Sequence, residues 1–303
     1  MKKLILLALP ALVFIISGCE SMGSLAEGLT SVGVATGNIS ASQKAALDKS
    51  SQAIQKSFED ITPEQEYYIG RAVAATVFSE YRAYNDKKSN DYINLLGTGL
   101  AYVSDRPETF RGYHFQVLDS EEINAFAAPG GLITVSRGLL RCARSEDEVA
   151  AILAHEIGHV VMEHGLKAIK TSRLTSALTS TALAAGQTLA PQELQELTAT
   201  FGDSIGDITN TLINSGYSRA QESEADHQAV VILERAGYDR KALVRMLEVM
   251  ETKLTPGGMD FAKTHPDPDE RIRDVNGMLV GYSAPPAPPA ARAARFQAAV
   301  GKI

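Results

Sequence analysis

Tryptophan is missing from this chain of 303 residues, and cysteine occurs only as Cys19 and Cys142. The first absence decides nothing. The second limits covalent cross-linking, because processing at Cys19 (below) leaves Cys142 with no internal partner. Beside Leu139 and Leu140, Cys142 is expected to act as a small buried hydrophobe. No cluster of Lys or Arg stands out, and the formal net charge is -7. Nucleic acid is therefore not an expected partner, since binding it rests on neutralising phosphates with basic side chains. There is no internal repeat and no collagen-like composition, and the hydrophobic share of 45% and charged share of 21% are those of an ordinary globular chain. Its length suffices for one substantial domain or two small ones.

What is present at the N-terminus is more informative. Lys2 and Lys3 precede an apolar run from Leu4 to Ile16, followed by Ser17, Gly18 and Cys19. A basic segment, a short apolar stretch and small residues form the layout of a secretory signal. The run falls short of the ~20 residues that span a bilayer. Ile16-Ser17-Gly18-Cys19 resembles a bacterial lipobox, which implies removal of residues 1–18 and lipidation of Cys19. Acyl chains in combination anchor a protein stably to a membrane. Glu20, rather than Asp, follows the cysteine; by analogy with sorting preferences this points to the outer membrane facing the periplasm rather than to the inner membrane.

Residues 19–60, rich in Ser, Gly, Ala and Thr, read as a tether that becomes helical near its end. Thr62-Pro63-Glu64-Gln65-Glu66 signals a helix start, with Thr as N-cap and Pro at the first position, running to about Asn85. A second helix is expected from Ser89 to Ser104. Tyr113–Leu118 alternates as a strand does, Asn124–Pro129 is extended, Gly130-Gly131 turns, and Leu132–Ser136 reads as another strand. The last of these is a candidate sheet edge to which a substrate peptide adds, with core packing as the plainer alternative. Ser145 followed by Glu148 is a capping-box pattern that opens a further helix. Residues 171–213 suggest two helices broken near Gly186 and Pro191, and helices are expected over Arg219–Ala236 and Arg240–Lys253. Residues 281–303 read as a Pro/Ala-rich tail.

His155-Glu156-Ile157-Gly158-His159 is an H-E-x-x-H motif inside an expected helix. Residues four apart are separated by ~40° about the helix axis, so both imidazoles can grip one ion from one side. Glu156, next to the first His, can reach a water at an open coordination position and take its proton. A catalytic zinc needs a third protein ligand. Glu222 and Asp226, again four apart on an expected helix, offer a ligand and an acceptor for the free N–H of a ligating His. Glu224 lies ~160° from Asp226 around that helix, which argues against it. His164, nine residues beyond His155, falls ~180° around its helix and is not an expected ligand.

Taken in order, Asn124-Ala125-Phe126-Ala127-Ala128-Pro129-Gly130-Gly131, the H-E-x-x-H helix, Ser218-Arg219 with Glu222 and Ala225-Asp226, and Thr264-His265-Pro266 with Arg271 resemble the HtpX-like and CAAX prenyl protease family of zinc metalloendopeptidases. The resemblance covers roughly residues 60 to 280 and is greatest to short periplasmic lipoprotein members. The spanning helices of membrane-embedded members and the helical repeats of others are unmatched. It implies an α+β, predominantly helical zincin-type fold with a small β-sheet beside the active-site helix, and a metallopeptidase domain over residues 61–280. Carried over by position, His155, His159 and Glu222 hold one zinc per chain, Glu156 is the base, and Asp226 supports a ligand. His265 and Arg271 face the metal, as helpers of the oxyanion or of substrate. For His265 three readings stay open: it caps the open position and inhibits, it swings away and assists, or it is merely structural.

The function these signs lead to expect is hydrolysis of peptide bonds in envelope proteins as part of protein quality control. The expected partners are protein or peptide substrates, the membrane through Cys19, and the outer-membrane protein assembly machinery. The alternative is an envelope chaperone or assembly factor with a latent zinc site.

Overall fold

The computed structural model describes residues 61–168, 216–253, 265 and 268–303. The signal segment 1–18, Cys19, the tether 19–60, the helices expected within 171–213, and Thr264 and Pro266 lie outside the described residues. All described residues belong to one of the two units into which the chain divides, that of Asp60–Arg173 with Gln192–Ile303.

Helix α1 (Pro63–Glu80) starts where its sequence signal is, with the Thr62 hydroxyl accepting from the Gln65 N–H and the Gln65 side chain accepting from the Thr62 N–H. It stops earlier than its pattern suggests because residues beyond it are used as sheet edge. Tyr81 turns extended, Ala83 bridges Leu118, and the Tyr84 N–H donates to the Val117 carbonyl. Helix α2 (Lys87–Tyr102) follows, capped by Asp86.

Three short strands come next: β1 (His114–Leu118), β2 (Ala125–Ala128) and β3 (Leu132–Ser136), in spatial order β1-β3-β2. β3 runs parallel to β1 and antiparallel to β2. The expectation that Leu132–Ser136 is a sheet edge is therefore corrected: this strand is the centre, with both edges paired. The cause is the tight Pro129–Gly131 turn, whose Gly130 (φ 76°) and Gly131 (φ 91°) fold β3 back beside β2. The buried Glu66 carboxylate accepts from the Gly130 N–H, and Arg106 pairs with that carboxylate. Among the described residues no strand pairs with the outer edge of β2.

The sheet buries both faces, so β2 is apolar at every position. Phe126 and Ala128 join Ile69, Val73 and Val77 of α1, while Ala125 and Ala127 join the larger core with Ile133 and Val135. Helices α3 (Arg137–Cys142), α4 (Glu146–Val161), α5 (Arg219–Arg235), α6 (Lys241–Lys253) and α7 (Pro268–Met278) complete that core. Cys142 is buried within it, and burial pushes its thiol pKa up. No described helix is long and apolar enough to cross a membrane.

The segment expected as a Pro/Ala-rich tail, 281–303, carries helix α8 (Ala290–Ala299). Phe296, Ala299 and Val300 are buried in the main core, Arg295 pairs with the buried Glu146, and the Ser89 hydroxyl donates to the Ala299 carbonyl. Three apolar residues in an Ala/Arg background are a weak periodic signal, and only packing against α2 and α4 gives them a place to go.

Helix α4 sets the geometry of everything that follows. From Glu146 to Val160 every residue is buried, so each polar side chain on it needs a partner inside the protein. Its closest neighbour is α5. A Cβ at Gly158 would lie 2.7 Å from the Ala225 carbonyl oxygen, so the two backbones touch where the H-E-x-x-H motif has its glycine. Gly158→Ala is expected to cost about 1–3 kcal/mol through overpacking, despite the helix-propensity gain of alanine, measured by thermal unfolding. An unchanged melting temperature would show that α4 and α5 separate without cost.

Candidate metal centre

The α4–α5 contact brings His155, His159 and Glu222 together at the heart of the protein, each at most 3% exposed. Helix α5 is positioned locally by a capping box between Ser218 and Gln221. His155 Nε2 and His159 Nε2 are 3.1 Å apart, and each lies 3.5 Å from a Glu222 carboxylate oxygen. His265 joins them, with its Nδ1 at 3.0 Å from Glu222 Oε1 and 3.3 Å from His155 Nε2. One ligand atom from each of the four lies within 4.8 Å of the others.

This arrangement fits a zinc ion. Bonds of ~2.0–2.1 Å to tetrahedral nitrogen and oxygen donors leave neighbouring donors ~3.3 Å apart, close to the separations here. The donor set is also of the right kind, two imidazole nitrogens with a carboxylate and a third imidazole. The protonation pattern agrees. His155 Nδ1 lies 2.8 Å from Asp226 Oδ1, an acceptor, so a neutral, metal-ligating ring would carry its proton there and turn the Nε2 lone pair to the cluster.

Asp226 and Glu222 are themselves held by Arg271 of α7. Its Nε and Nη2 donate to the two Asp226 oxygens, each at 2.7 Å, and its Nη1 lies 2.9 Å from Glu222 Oε2. Burial works against ionised Glu222, but His265 and Arg271 hold its carboxyl well below the usual carboxylate range. Asp226 is also lowered, against burial, chiefly by Arg271. Burial and Arg271 oppose the charged form of His155, yet Asp226 and Glu222 outweigh them and hold its pKa up at about 9. Arg271 was expected to face the metal as a helper of the oxyanion or of substrate; its guanidinium clamps the two α5 carboxylates.

Glu156 differs from its neighbours. It is 1% exposed, and neither of its carboxylate oxygens has a hydrogen-bond partner among the described residues. Ile152, Leu243, Met246 and Met250 line the small space it shares with His155 and Arg271. Burial pushes its pKa up. His265 Nε2 lies 3.8 Å from Glu156 Oε1.

Beside the site stand Tyr217, which no signal in the sequence singles out, and His164 and Glu224, which angular position sets aside as ligands. Tyr217, immediately before the α5 cap, stacks its ring on His159 at 4.2 Å between centroids. His164 lies 2.8 Å from His159, ring nitrogen to ring nitrogen, and 3.0 Å from Glu224. The angular argument that set His164 aside assumed a continuous helix. α4 ends at Val161, and Glu163 takes a φ of 54°, which turns His164 back toward the motif. Nothing in the sequence announces that turn.

A model of peptidase family M48 matches residues 87–279. The chain is 31% identical over 220 residues to the putative beta-barrel assembly-enhancing protease of Vibrio cholerae serotype O1, covering 71% of this chain and 44% of that protein. It is 29% identical over 193 residues to the beta-barrel assembly-enhancing protease of Escherichia coli K12, covering 63% and 39%. With the metalloprotease LoiP of the same strain it shares 27% over 280 residues, 92% of this chain and 98% of that one. The chain thus spans less than half the length of the two assembly-enhancing proteases and nearly all of LoiP.

Proposed function

The chain belongs to peptidase family M48, and from that premise we propose that it is a zinc metalloendopeptidase of the bacterial cell envelope that cleaves envelope proteins in quality control. The observation that carries the reading is the buried Glu156 carboxylate, without a hydrogen-bond partner among the described residues, beside a cluster of His155, His159, Glu222 and His265. A purely structural metal site needs no such base.

His155, His159 and Glu222 are the zinc ligands in this reading. Zinc there supplies positive charge that polarises the scissile carbonyl. Glu156 takes the proton of the attacking water and returns it to the leaving nitrogen, a double role suited to a carboxyl whose pKa burial has raised. Asp226 fixes the proton of His155 on Nδ1, and Arg271 keeps Asp226 and Glu222 ionised in the interior. His265, gathered at the cluster with its other nitrogen toward Glu156, acts as a closing residue that must move for a substrate carbonyl to enter. A substrate strand adds to the outer edge of β2, a strand that borders α4 and has no partner strand on that side among the described residues.

Lipidation at Cys19 and an outer-membrane position facing the periplasm rest on the lipobox-like sequence. The names of two relatives, both beta-barrel assembly-enhancing proteases, support β-barrel proteins as substrates and their assembly machinery as a partner. Those names also favour a second reading, in which the chain assists assembly and keeps its zinc site latent behind His265.

Metal removal tests the first reading. The purified chain is expected to hold about one zinc, to cleave casein, to lose cleavage on chelation and to regain it when zinc is returned. Zinc bound at full occupancy with no cleavage of casein or of an unfolded barrel protein would favour the assembly reading. A chain that takes up no zinc would sink both.

A further inference from the structure

The two imidazoles of the H-E-x-x-H motif are supported in different ways. His155 has a carboxylate directly on its Nδ1, that of Asp226. His159 Nδ1 meets another imidazole, the Nδ1 of His164 at 2.8 Å, and His164 Nε2 meets Glu224 Oε2 at 3.0 Å. His164 is fully buried, whereas the Glu224 side chain is 45% exposed and is further approached by Lys167 Nζ at 3.6 Å.

Hydrogen-bond chemistry allows one arrangement of protons along this chain when His164 is neutral. An ionised carboxylate only accepts, so His164 must carry its proton on Nε2. Its Nδ1 then presents a lone pair, and His159 must donate from its own Nδ1. The Nε2 of His159 is left bare, and it is the Nε2 that lies 3.1 Å from His155 Nε2 and 3.5 Å from Glu222. Tyr217, stacked on the same ring, blocks it from tilting out of this line.

We propose that His164 and Glu224 form a relay that positions His159, fixing its tautomer so that Nε2 is available to the metal; this rests on the ligand set proposed above. Helix α5 then serves both motif histidines. Asp226 reaches His155 directly, and Glu224, two residues away and on a different face, reaches His159 through His164. The Glu163 turn is what supplies the missing length. Second-layer partners of this kind orient ligands and raise their basicity.

The test uses zinc alone and the full chain. In the metal-free protein, nitrogen-15 NMR of the histidine rings is expected to show His159 protonated on Nδ1 and His164 on Nε2. Competition with a chromophoric chelator is expected to show zinc affinity lowered about 10–100-fold in His164→Phe and in Glu224→Met. Glu224→Gln still offers an acceptor oxygen and is expected to stay nearer the wild type. Glu224 is partly exposed, so its variants keep the fold even if His164→Phe does not. Wild-type affinity in Glu224→Met, or His159 protonated on Nε2 in the wild type, overturns the relay. Zinc that fails to bind the wild type overturns the ligand set instead, a result the NMR tautomers would not by themselves produce.

Discussion

A Glu156→Gln chain is expected to bind zinc as the wild type does and to cleave casein about 10²–10⁴-fold more slowly. Glutamine keeps the volume of the side chain and removes its basicity, so the loss falls on proton transfer alone. The expectation is strong because of where Glu156 sits. It is buried, it donates to and accepts from nothing among the described residues, and apolar side chains of α4 and α6 line its space. A carboxyl group left in that condition costs stability, and a catalytic role accounts for its being there. Zinc content and circular dichroism, measured on the same preparation, separate a chemical defect from an unfolded site. Cleavage within a few-fold of wild type would remove Glu156 as the base.

Much of this centre was legible because helical periodicity is a local property. His155 and His159, and again Glu222 and Asp226, are four apart, and that spacing alone places each pair on one side of its helix. The fold class came from the family resemblance, and the first helix started at the residue its cap announced. What periodicity cannot supply is the order in which strands meet. Leu132–Ser136 has the same alternation whether it lies at an edge or at the centre, and its pairing with β1 as well as β2 decides between them. His164 was lost for a related reason: one residue with an unusual backbone angle ended the periodicity on which the argument depended. Helix α8 was hidden by composition, since Phe296 and Val300 acquire meaning only from the core they enter.

Arg271 is the residue for which sequence and structure point to different experiments, and Arg271→Met separates them. As an oxyanion helper, Arg271 would affect turnover and leave stability alone. Its guanidinium instead satisfies both oxygens of Asp226 and touches Glu222, two carboxylates at most 1% exposed. Removing one partner of a buried ion pair leaves charge less compensated, and here two acids, Asp226 and Glu222, lose the guanidinium at once and keep only their histidine neighbours. The variant is therefore expected to lose about 3–5 kcal/mol of stability, read as a lower melting temperature in the metal-free chain. Zinc should return part of that loss, because a cation bound by His155, His159 and Glu222 supplies positive charge to the same acids. The difference in melting temperature between zinc-loaded and metal-free protein is then larger in Arg271→Met than in the wild type. An unchanged melting temperature with a reduced rate would restore the oxyanion role and end the clamp. Arg271→Lys discriminates further, since a lysine keeps the charge but lacks the planar fork that binds Asp226 at two points, and it is expected to recover only part of the stability.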